Sequence, residues 1–238
     1  MLNSSQDINV QSQVGKTVIL PRGDLIVNID DQINYVNCSL TQEEGELNMI
    51  KLAQTSRYEE AYLFDKTNSC FSEIGYNCTN RSCQGNNFTS AINGINLISY
   101  HLHPKYCKLL DNSLTAMFEK WMDTVLKQFL TEKDILNLKE RMLTLPSKND
   151  LTYFRNLQEQ ENIQEFRIAN PFGITNVVLK EGNIEGIVKL YDKAISDYVF
   201  SYDSNINLEQ NIQNYIDNVN ESMMDYLDIT FISEKNIR

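Results

Sequence analysis

Strand-like runs and amphipathic helical patterns alternate along this chain, and this alternation is the strongest constraint on its fold. The most β-rich run covers residues 92–100 and stops shortly before Pro104, which has no N–H to donate to a sheet. Residues 41–56 and 184–198 instead place apolar residues at helical spacing. Apolar helix faces and sheet faces are buried against each other. The sequence therefore predicts an α/β (α+β) fold in which helices flank a mixed β-sheet.

The remaining elements follow from turn residues and apolar spacing. Further strands are predicted at 17–20, 25–29, 33–38, 59–65, 164–179 (a hairpin around Asn170-Pro171-Phe172-Gly173) and 228–232. Further helices are predicted at 113–130, 131–145 and 208–227. The charged segment 147–162 is predicted to be a mobile connection. We accordingly predict a first domain over residues 1–146 and a C-terminal α/β extension, rich in helix, over 147–238, which could belong to the same domain.

Thr41 and Glu44 mark the start of the first predicted helix. A threonine before a helix and a glutamate three residues later can each accept a hydrogen bond from the other's main-chain N–H. This pattern predicts a helix that begins directly after Thr41.

Acidic residues outnumber basic residues over the whole chain. The 238 residues include 32 Asp and Glu against 21 Lys and Arg, a formal net charge of −11. Nucleic acids and anionic membranes attract proteins with many basic side chains, so neither is an expected partner. The sequence also shows no signal-peptide pattern and no run of the roughly 20 apolar residues that a membrane span needs. Five cysteines without a C-x-x-C pair suggest free thiols in a reducing compartment, and we expect a cytoplasmic protein.

The chain has two histidines, and they stand two residues apart as His101 and His103. Residues i and i+2 of a strand point to the same face, so these two imidazoles could chelate one metal ion. A catalytic zinc generally takes three protein ligands and leaves a position for water. Asp111 is the preferred third ligand, because a short loop before the helix predicted at 113–130 could return its carboxylate to the strand end. Asp123 is less favoured, because it lies within that helix.

A zinc hydrolase also needs a general base that accepts a proton from the attacking water, and glutamate commonly has this role. Glu59 and Glu60 begin the strand that follows the first helix, and Glu73 lies in the polar segment after that strand. Position alone does not choose among these three residues.

The order of these motifs resembles the JAB/MPN (JAMM) metalloprotease family. The resemblance lies in a helix, the run Glu59-Glu60-Ala61-Tyr62-Leu63-Phe64, further strands, and the run Ile98-Ser99-Tyr100-His101-Leu102-His103-Pro104 before a capped helix. In that family a glutamate begins the strand after the first helix, and a later strand ends in His-x-His-Pro. The resemblance implies a JAB/MPN-like (cytidine-deaminase-like) core, with Glu59 as the acid/base and His101 and His103 as zinc ligands.

The family pattern continues with a serine eight residues after the second histidine and an aspartate, the third zinc ligand, eleven residues after it. This sequence has Asp111 and Leu114 at those two positions. Either a shortened loop lets Asp111 serve as the ligand, or the site is degenerate.

The resemblance implies a zinc-dependent hydrolase of peptide or isopeptide bonds that acts on an extended peptide such as a ubiquitin-like tail. A chain that keeps this fold without its metal would instead be a catalytically inactive interaction or structural subunit of a larger assembly. In an unrelated α/β protein the His-x-His pair would be incidental, and its imidazoles would point apart. Metal content and the orientation of the two rings distinguish these alternatives.

Overall fold

A seven-stranded mixed β-sheet forms the centre of the part of the chain that this computed structural model describes. The described residues are 35–37, 39–56, 59–73, 75–76, 84–85, 96–105, 131, 136, 140–161, 163–198, 201–203 and 205–237. The sheet contains β1 (Tyr35–Asn37), β2 (Glu60–Asp65), β3 (Cys70–Glu73), β6 (Leu97–Leu102), β7 (Glu165–Asn170), β8 (Gly173–Leu179) and β9 (Leu227–Ser233). A separate two-stranded sheet pairs β4 (Gly75–Tyr76) with β5 (Gln84–Gly85).

The strand order in the large sheet is β1-β3-β2-β6-β7-β8-β9. The pair β6 and β7 is parallel, and the other neighbouring pairs are antiparallel. The sheet therefore includes strands from both sides of residue 146, the predicted boundary between the first domain and the C-terminal extension. That division stays a prediction, although the two parts share one sheet.

Helices cover both faces of this sheet. The helices are α1 (Gln42–Thr55), α2 (Lys148–Glu161), α3 (Ile184–Tyr198) and α4 (Leu208–Met223), and a short 3₁₀ turn covers Glu234–Asn236. One apolar core lies between α1 and the sheet, and a larger core lies between the opposite face and α2, α3 and α4. The predicted mixed sheet flanked by helices is confirmed.

Helix α1 begins as its sequence predicts. The Thr41 side chain accepts a hydrogen bond from the Glu44 main-chain N–H at 3.2 Å, and Glu44 accepts one from the Thr41 N–H at 2.9 Å. These two bonds satisfy donors that a helix N-terminus otherwise leaves without partners. Met49, Ile50 and Ala53 then pack onto the sheet.

The predicted hairpin between residues 164 and 179 is confirmed as β7 and β8. Asn170 Oδ1 accepts a hydrogen bond from the Phe172 N–H at 3.1 Å, which closes the turn. Gly173 then passes close to β9: a Cβ atom at this position would lie 2.1 Å from the carbonyl oxygen of Ile232. The missing side chain of Gly173 thus allows β8 and β9 to pair at this end of the sheet.

Residues 147–162 do not form the predicted mobile connection. Most of this segment is helix α2, and its residues Leu151, Phe154 and Leu157 are buried at helical spacing. The Phe154 ring stacks on Phe166 of β7 with centroids 4.6 Å apart. The prediction was wrong because it followed the charged residues, two of which, Asp150 and Arg155, are buried in the folded protein along with the apolar face of the helix.

Several other predicted elements lie wholly or mostly outside the described residues. They are the strands at 17–20 and 25–29 and the helix at 113–130. Of the helix predicted at 131–145, the structure describes residues 136 and 140–142 as helical and residues 143–145 as a turn and bend beyond the helix end. Of the described helices, none is both long enough and apolar enough to cross a membrane.

Cys70 is disulfide-bonded, and its partner lies outside the described residues. The prediction of free thiols is therefore wrong for this residue. No pairing could be predicted, because the five cysteines show no characteristic spacing. Disulfides persist mainly in oxidising environments, so the cysteines no longer support the predicted cytoplasmic location.

The close approach of Gly173 to β9 can be tested by replacing it with alanine. Gly173→Ala is expected to lower the free energy of unfolding by about 3 kcal/mol, because main-chain atoms of β9 cannot move away without breaking strand pairing. Gly186→Ala in α3 is the matched control, because nothing lies within 4 Å of its added methyl group. The control is expected to raise stability by about 0.5 kcal/mol. Equal stability of the two variants in urea denaturation would contradict the described packing.

Candidate metal centre

His101 and His103 lie where β6 ends, on the sheet face that α2, α3 and α4 cover. Ala61 of β2, which pairs with His101, packs in the core beneath these helices. The His103 N–H donates to the Ala169 carbonyl at 2.8 Å, so the strand direction continues past the last residue of β6. The two imidazole rings consequently share one face, with centroids 5.0 Å apart in an edge-to-face arrangement.

Asp150, in the first turn of α2, places its carboxylate against both histidines. Its Oδ1 lies 2.5 Å from His101 Nδ1, and its Oδ2 lies 3.2 Å from His103 Nε2. The side chains of Asp150 and His103 are each 5% exposed, and that of His101 is 12% exposed. A buried carboxylate thus lies in contact with one nitrogen of each imidazole.

The start of α2 fixes the direction of the Asp150 side chain. Asp150 Oδ2 accepts a hydrogen bond from the Ser147 N–H at 2.6 Å, and the Asp150 N–H donates to Ser147 Oγ at 3.2 Å. This is the reciprocal capping arrangement of a helix N-terminus. The same local pattern that begins the helix therefore orients the carboxylate toward the histidines.

A main-chain contact of His103 shows which of its ring nitrogens donates a hydrogen bond. His103 Nδ1 lies 3.0 Å from the carbonyl oxygen of Leu143, and a carbonyl can only accept a hydrogen bond. Nδ1 therefore donates to this carbonyl, and a neutral His103 could coordinate a metal only through Nε2, the nitrogen that faces Asp150 when no metal is bound. Metal-binding histidines in proteins are commonly oriented by such a carbonyl contact at the other ring nitrogen.

Glu59, rather than Glu60, lies beside the histidines. Glu59 Oε2 is 3.5 Å from His101 Nε2, and the Glu59 side chain is 12% exposed. Successive residues of a strand point to opposite faces, so Glu60 lies on the α1 side, where the Tyr62 hydroxyl donates to it. Glu73 is in β3, which β2 separates from β6. Of the three predicted candidates, the structure brings only Glu59 to this group.

The charges of His101 and Asp150 stabilise each other in the protein interior. Burial opposes protonation of His101, but Asp150 and then Glu59 outweigh it and raise the His101 pKa to about 10. Burial likewise opposes ionisation of Asp150, but the two histidines hold its pKa well below the usual value. In the metal-free protein near neutral pH, His101 and Asp150 therefore form a buried ion pair.

The structure brings together Glu59, His101 and His103, three of the four residues that the sequence predicts for the site. The fourth, Asp111, lies outside the described residues, as does the less favoured Asp123. Asp150 was missed because 147–162 was interpreted as a connection. A signal was present: Ser147 followed three residues later by an acid, before apolar residues at helical spacing, is typical of a helix N-terminus.

His101, His103 and Asp150 form a group that could hold a metal ion. Each offers one ligand atom, and these atoms all lie within 4.8 Å of one another. His101 Nε2 is buried and makes no hydrogen bond within the described part of the chain, where Glu59 at 3.5 Å is beyond normal hydrogen-bond length. Two imidazoles and a carboxylate, once His101 has lost its extra proton, are a donor set suited to a first-row divalent metal.

No family model matches this chain, and searches of curated proteins and of solved structures found no match either.

Removing the Asp150 charge tests the ion pair. Asp150→Asn is expected to lower the stability of the metal-free protein by about 3 kcal/mol at pH 7, because a buried charged histidine loses its main partner. Asp192→Asn is the matched control: its carboxylate lies 2.7 Å from Lys148 Nζ, and both side chains are at least one-third exposed. The control is expected to cost about 0.5 kcal/mol or less. Urea denaturation in the presence of a chelator measures both, and equal losses would contradict the buried pair.

The ion pair also predicts a pH dependence. The His101 pKa is raised above its unfolded value near 6.5, so its stabilising contribution is present below about pH 6.5 and is lost as pH rises toward about 10. The stability difference between wild type and Asp150→Asn should therefore shrink over that interval. A difference that stays constant to pH 10 would show that His101 is not charged in the folded protein.

Proposed function

We propose that this protein is a zinc-dependent hydrolase that cleaves peptide or isopeptide bonds. The observation that carries the proposal is the position of the Asp150 carboxylate, 2.5 Å from His101 and 3.2 Å from His103, with Glu59 beside His101. Two histidines and one carboxylate are a ligand set of catalytic zinc sites. A glutamate next to such a set supplies the acid/base that hydrolysis needs.

The donor set fits zinc in its details. The Leu143 carbonyl holds the proton of His103 on Nδ1 and so leaves Nε2 for coordination. Asp150 is held by the Ser147 N–H, which leaves it further lone pairs for a metal. These contacts support His101, His103 and Asp150 as the zinc ligands, with Asp150 in place of the predicted Asp111.

The resemblance to the JAB/MPN family becomes closer with Asp150 in this role. Its pattern requires a serine and, three residues later, the aspartate ligand. Ser147 and Asp150 keep this interval, and they stand 36 residues beyond Asp111 and Leu114, where the uninterrupted pattern would place them. A longer connection after His103 therefore accounts for the mismatch. On this basis we propose a JAB/MPN-like core around β2, β6 and α1.

The proposed chemistry divides between the metal and the chain. Zinc in such a site acts as a Lewis acid and lowers the pKa of water. Glu59 would accept a proton from the attacking water at its carboxylate and return it to the amine nitrogen as the C–N bond of the peptide breaks. His103, through the Leu143 carbonyl, and Asp150, through Ser147, stay fixed in orientation while the proton moves.

The partial burial of the site favours a narrow substrate. His101 and Glu59 are each 12% exposed, whereas His103 and Asp150 are each 5% exposed. The side of His101 and Glu59 is therefore the more accessible one, and so little exposed surface favours an extended chain over a folded surface as the group that brings the reacting bond. This supports a peptide or a flexible tail, ubiquitin-like by the family resemblance, as the substrate.

One observation favours a second candidate, a catalytically inactive interaction or structural subunit. His101 Nδ1 and Asp150 Oδ1 are 2.5 Å apart, closer than the roughly 3.3 Å between two ligand atoms on one tetrahedral zinc. The pair is thus satisfied directly, and it could serve only to hold α2 against β6. Metal binding requires His101 Nδ1 and Asp150 Oδ1 to move apart. The hydrolase would bind metal and separate these atoms, whereas the structural subunit would keep them in contact.

Metal content decides between the two candidates. After dialysis against dilute zinc and removal of unbound ions, elemental analysis of the wild type is expected to give about one zinc per chain. His103→Ala and Asp150→Asn are expected to lose it, and Asp192→Asn should retain it as the matched control. No zinc in the folded wild type would overturn the proposed hydrolase and favour the structural candidate.

Activity tests the role of Glu59 separately. Zinc-loaded protein is expected to release the leaving group from fluorogenic peptides or from ubiquitin-like proteins with a C-terminal fusion. Glu59→Gln is expected to keep the zinc and to lose about 10²-fold to 10⁴-fold in kcat, because it removes only proton transfer. A zinc-loaded Glu59→Gln variant with full activity would exclude Glu59 as the acid/base.

A further inference from the structure

The peptide group between Pro146 and Ser147 connects the candidate metal centre to helix α3. The Tyr191 hydroxyl in α3 donates to the Pro146 carbonyl at 2.7 Å, and the Ser147 N–H donates to Asp150 Oδ2 at 2.6 Å. That carbonyl and that N–H belong to one planar unit, so holding the direction of one holds the other. We infer that Tyr191 is a positioning residue that, through this peptide, fixes the Asp150 carboxylate against the two histidines.

Tyr191 is well suited to hold a peptide group in place. Its side chain is fully buried in the core between the helices and the sheet, where its ring cannot move freely. Burial, and after it the nearby Tyr215 and Asp150, raise the Tyr191 pKa well above its usual value. The hydroxyl therefore keeps its proton and remains a donor to Pro146.

The neighbouring main-chain groups are held in the same way. Thr175 of β8 donates its hydroxyl to the Thr144 carbonyl at 2.6 Å, and His103 donates to the Leu143 carbonyl at 3.0 Å. The segment 143–147 thus contacts both His103 and Asp150 while it is anchored from β8 and α3. Tyr191 is the anchor nearest to the bond that orients Asp150.

This inference concerns the position of Asp150, and its consequence for metal affinity rests on the proposed function. Outer contacts that orient metal ligands typically change metal affinity by 10-fold to 100-fold when removed. We therefore expect loss of the Tyr191 hydroxyl to weaken zinc binding by about tenfold, although Tyr191 is not itself a proposed ligand.

The test compares Tyr191→Phe with Tyr198→Phe. Both changes remove one hydroxyl from α3, but the Tyr198 hydroxyl contacts Ser222 of α4 and no residue of segment 143–147 that the structure describes. The first readout is hydrogen exchange of the Ser147 amide in metal-free protein, measured by NMR. The second is the zinc dissociation constant by chelator competition, and the third is the visible absorption spectrum of the cobalt-substituted protein, which reports ligand geometry.

Tyr191→Phe is expected to accelerate exchange of the Ser147 amide by about tenfold. The change removes the buried hydrogen bond to the Pro146 carbonyl, and the net worth of one such bond corresponds to about a tenfold change in an equilibrium. It should also weaken zinc binding and alter the cobalt spectrum, whereas Tyr198→Phe should leave all three unchanged. Unchanged Ser147 exchange in folded Tyr191→Phe would overturn the inference, and so would equal effects of the two variants. Absence of metal binding by the wild type would overturn the proposed function alone, because the Ser147 amide still reports whether Tyr191 positions Asp150.

Discussion

The Asp150 carboxylate contacts parts of the chain that are distant in sequence, and the geometry of the candidate site depends on it. It accepts the Ser147 N–H at the start of α2 and lies against His101 and His103 at the end of β6. A buried carboxylate is costly unless charge and hydrogen bonds compensate it. Here the positive charge of His101 and the capping N–H supply both. The contact consequently stabilises the docking of α2 on the sheet and the arrangement of the possible metal ligands.

The site draws on both parts of the chain, although the sequence alone suggested chemistry only in the first. Glu59 and the histidines come from β2 and β6, whereas Asp150 and its anchor Tyr191 come from α2 and α3. The parallel pairing of β6 with β7 places α2 on the same face as the histidines. Residues 147–238 therefore contribute a potential ligand and its support as well as three of the seven strands of the sheet.

Local patterns in the sequence were sufficient for several elements and for part of the site. The Thr41 and Glu44 caps, the turn at Asn170 and the common face of His101 and His103 depend on neighbouring residues only. Which glutamate faces the histidines depends on strand register, and which acid completes the group depends on a contact 47 residues away. Such contacts are set by packing of α2 on the sheet, which no local pattern specifies. The disulfide of Cys70 was missed because the spacing of the five cysteines indicates no pairing.

Under the proposed function, the long connection between His103 and Ser147 requires an energetic explanation. For a flexible connection, lengthening the interval from eight to 44 residues raises the closure cost by only about 1.5 kcal/mol, because that cost grows with the logarithm of length. Burial of a single large apolar side chain contributes about 1.5–3 kcal/mol, and α2 buries Leu151, Phe154 and Leu157. The packing of α2 therefore outweighs the longer connection. A serine and aspartate pair that begins a well-packed helix can thus keep its place beside the histidines while the chain between them grows.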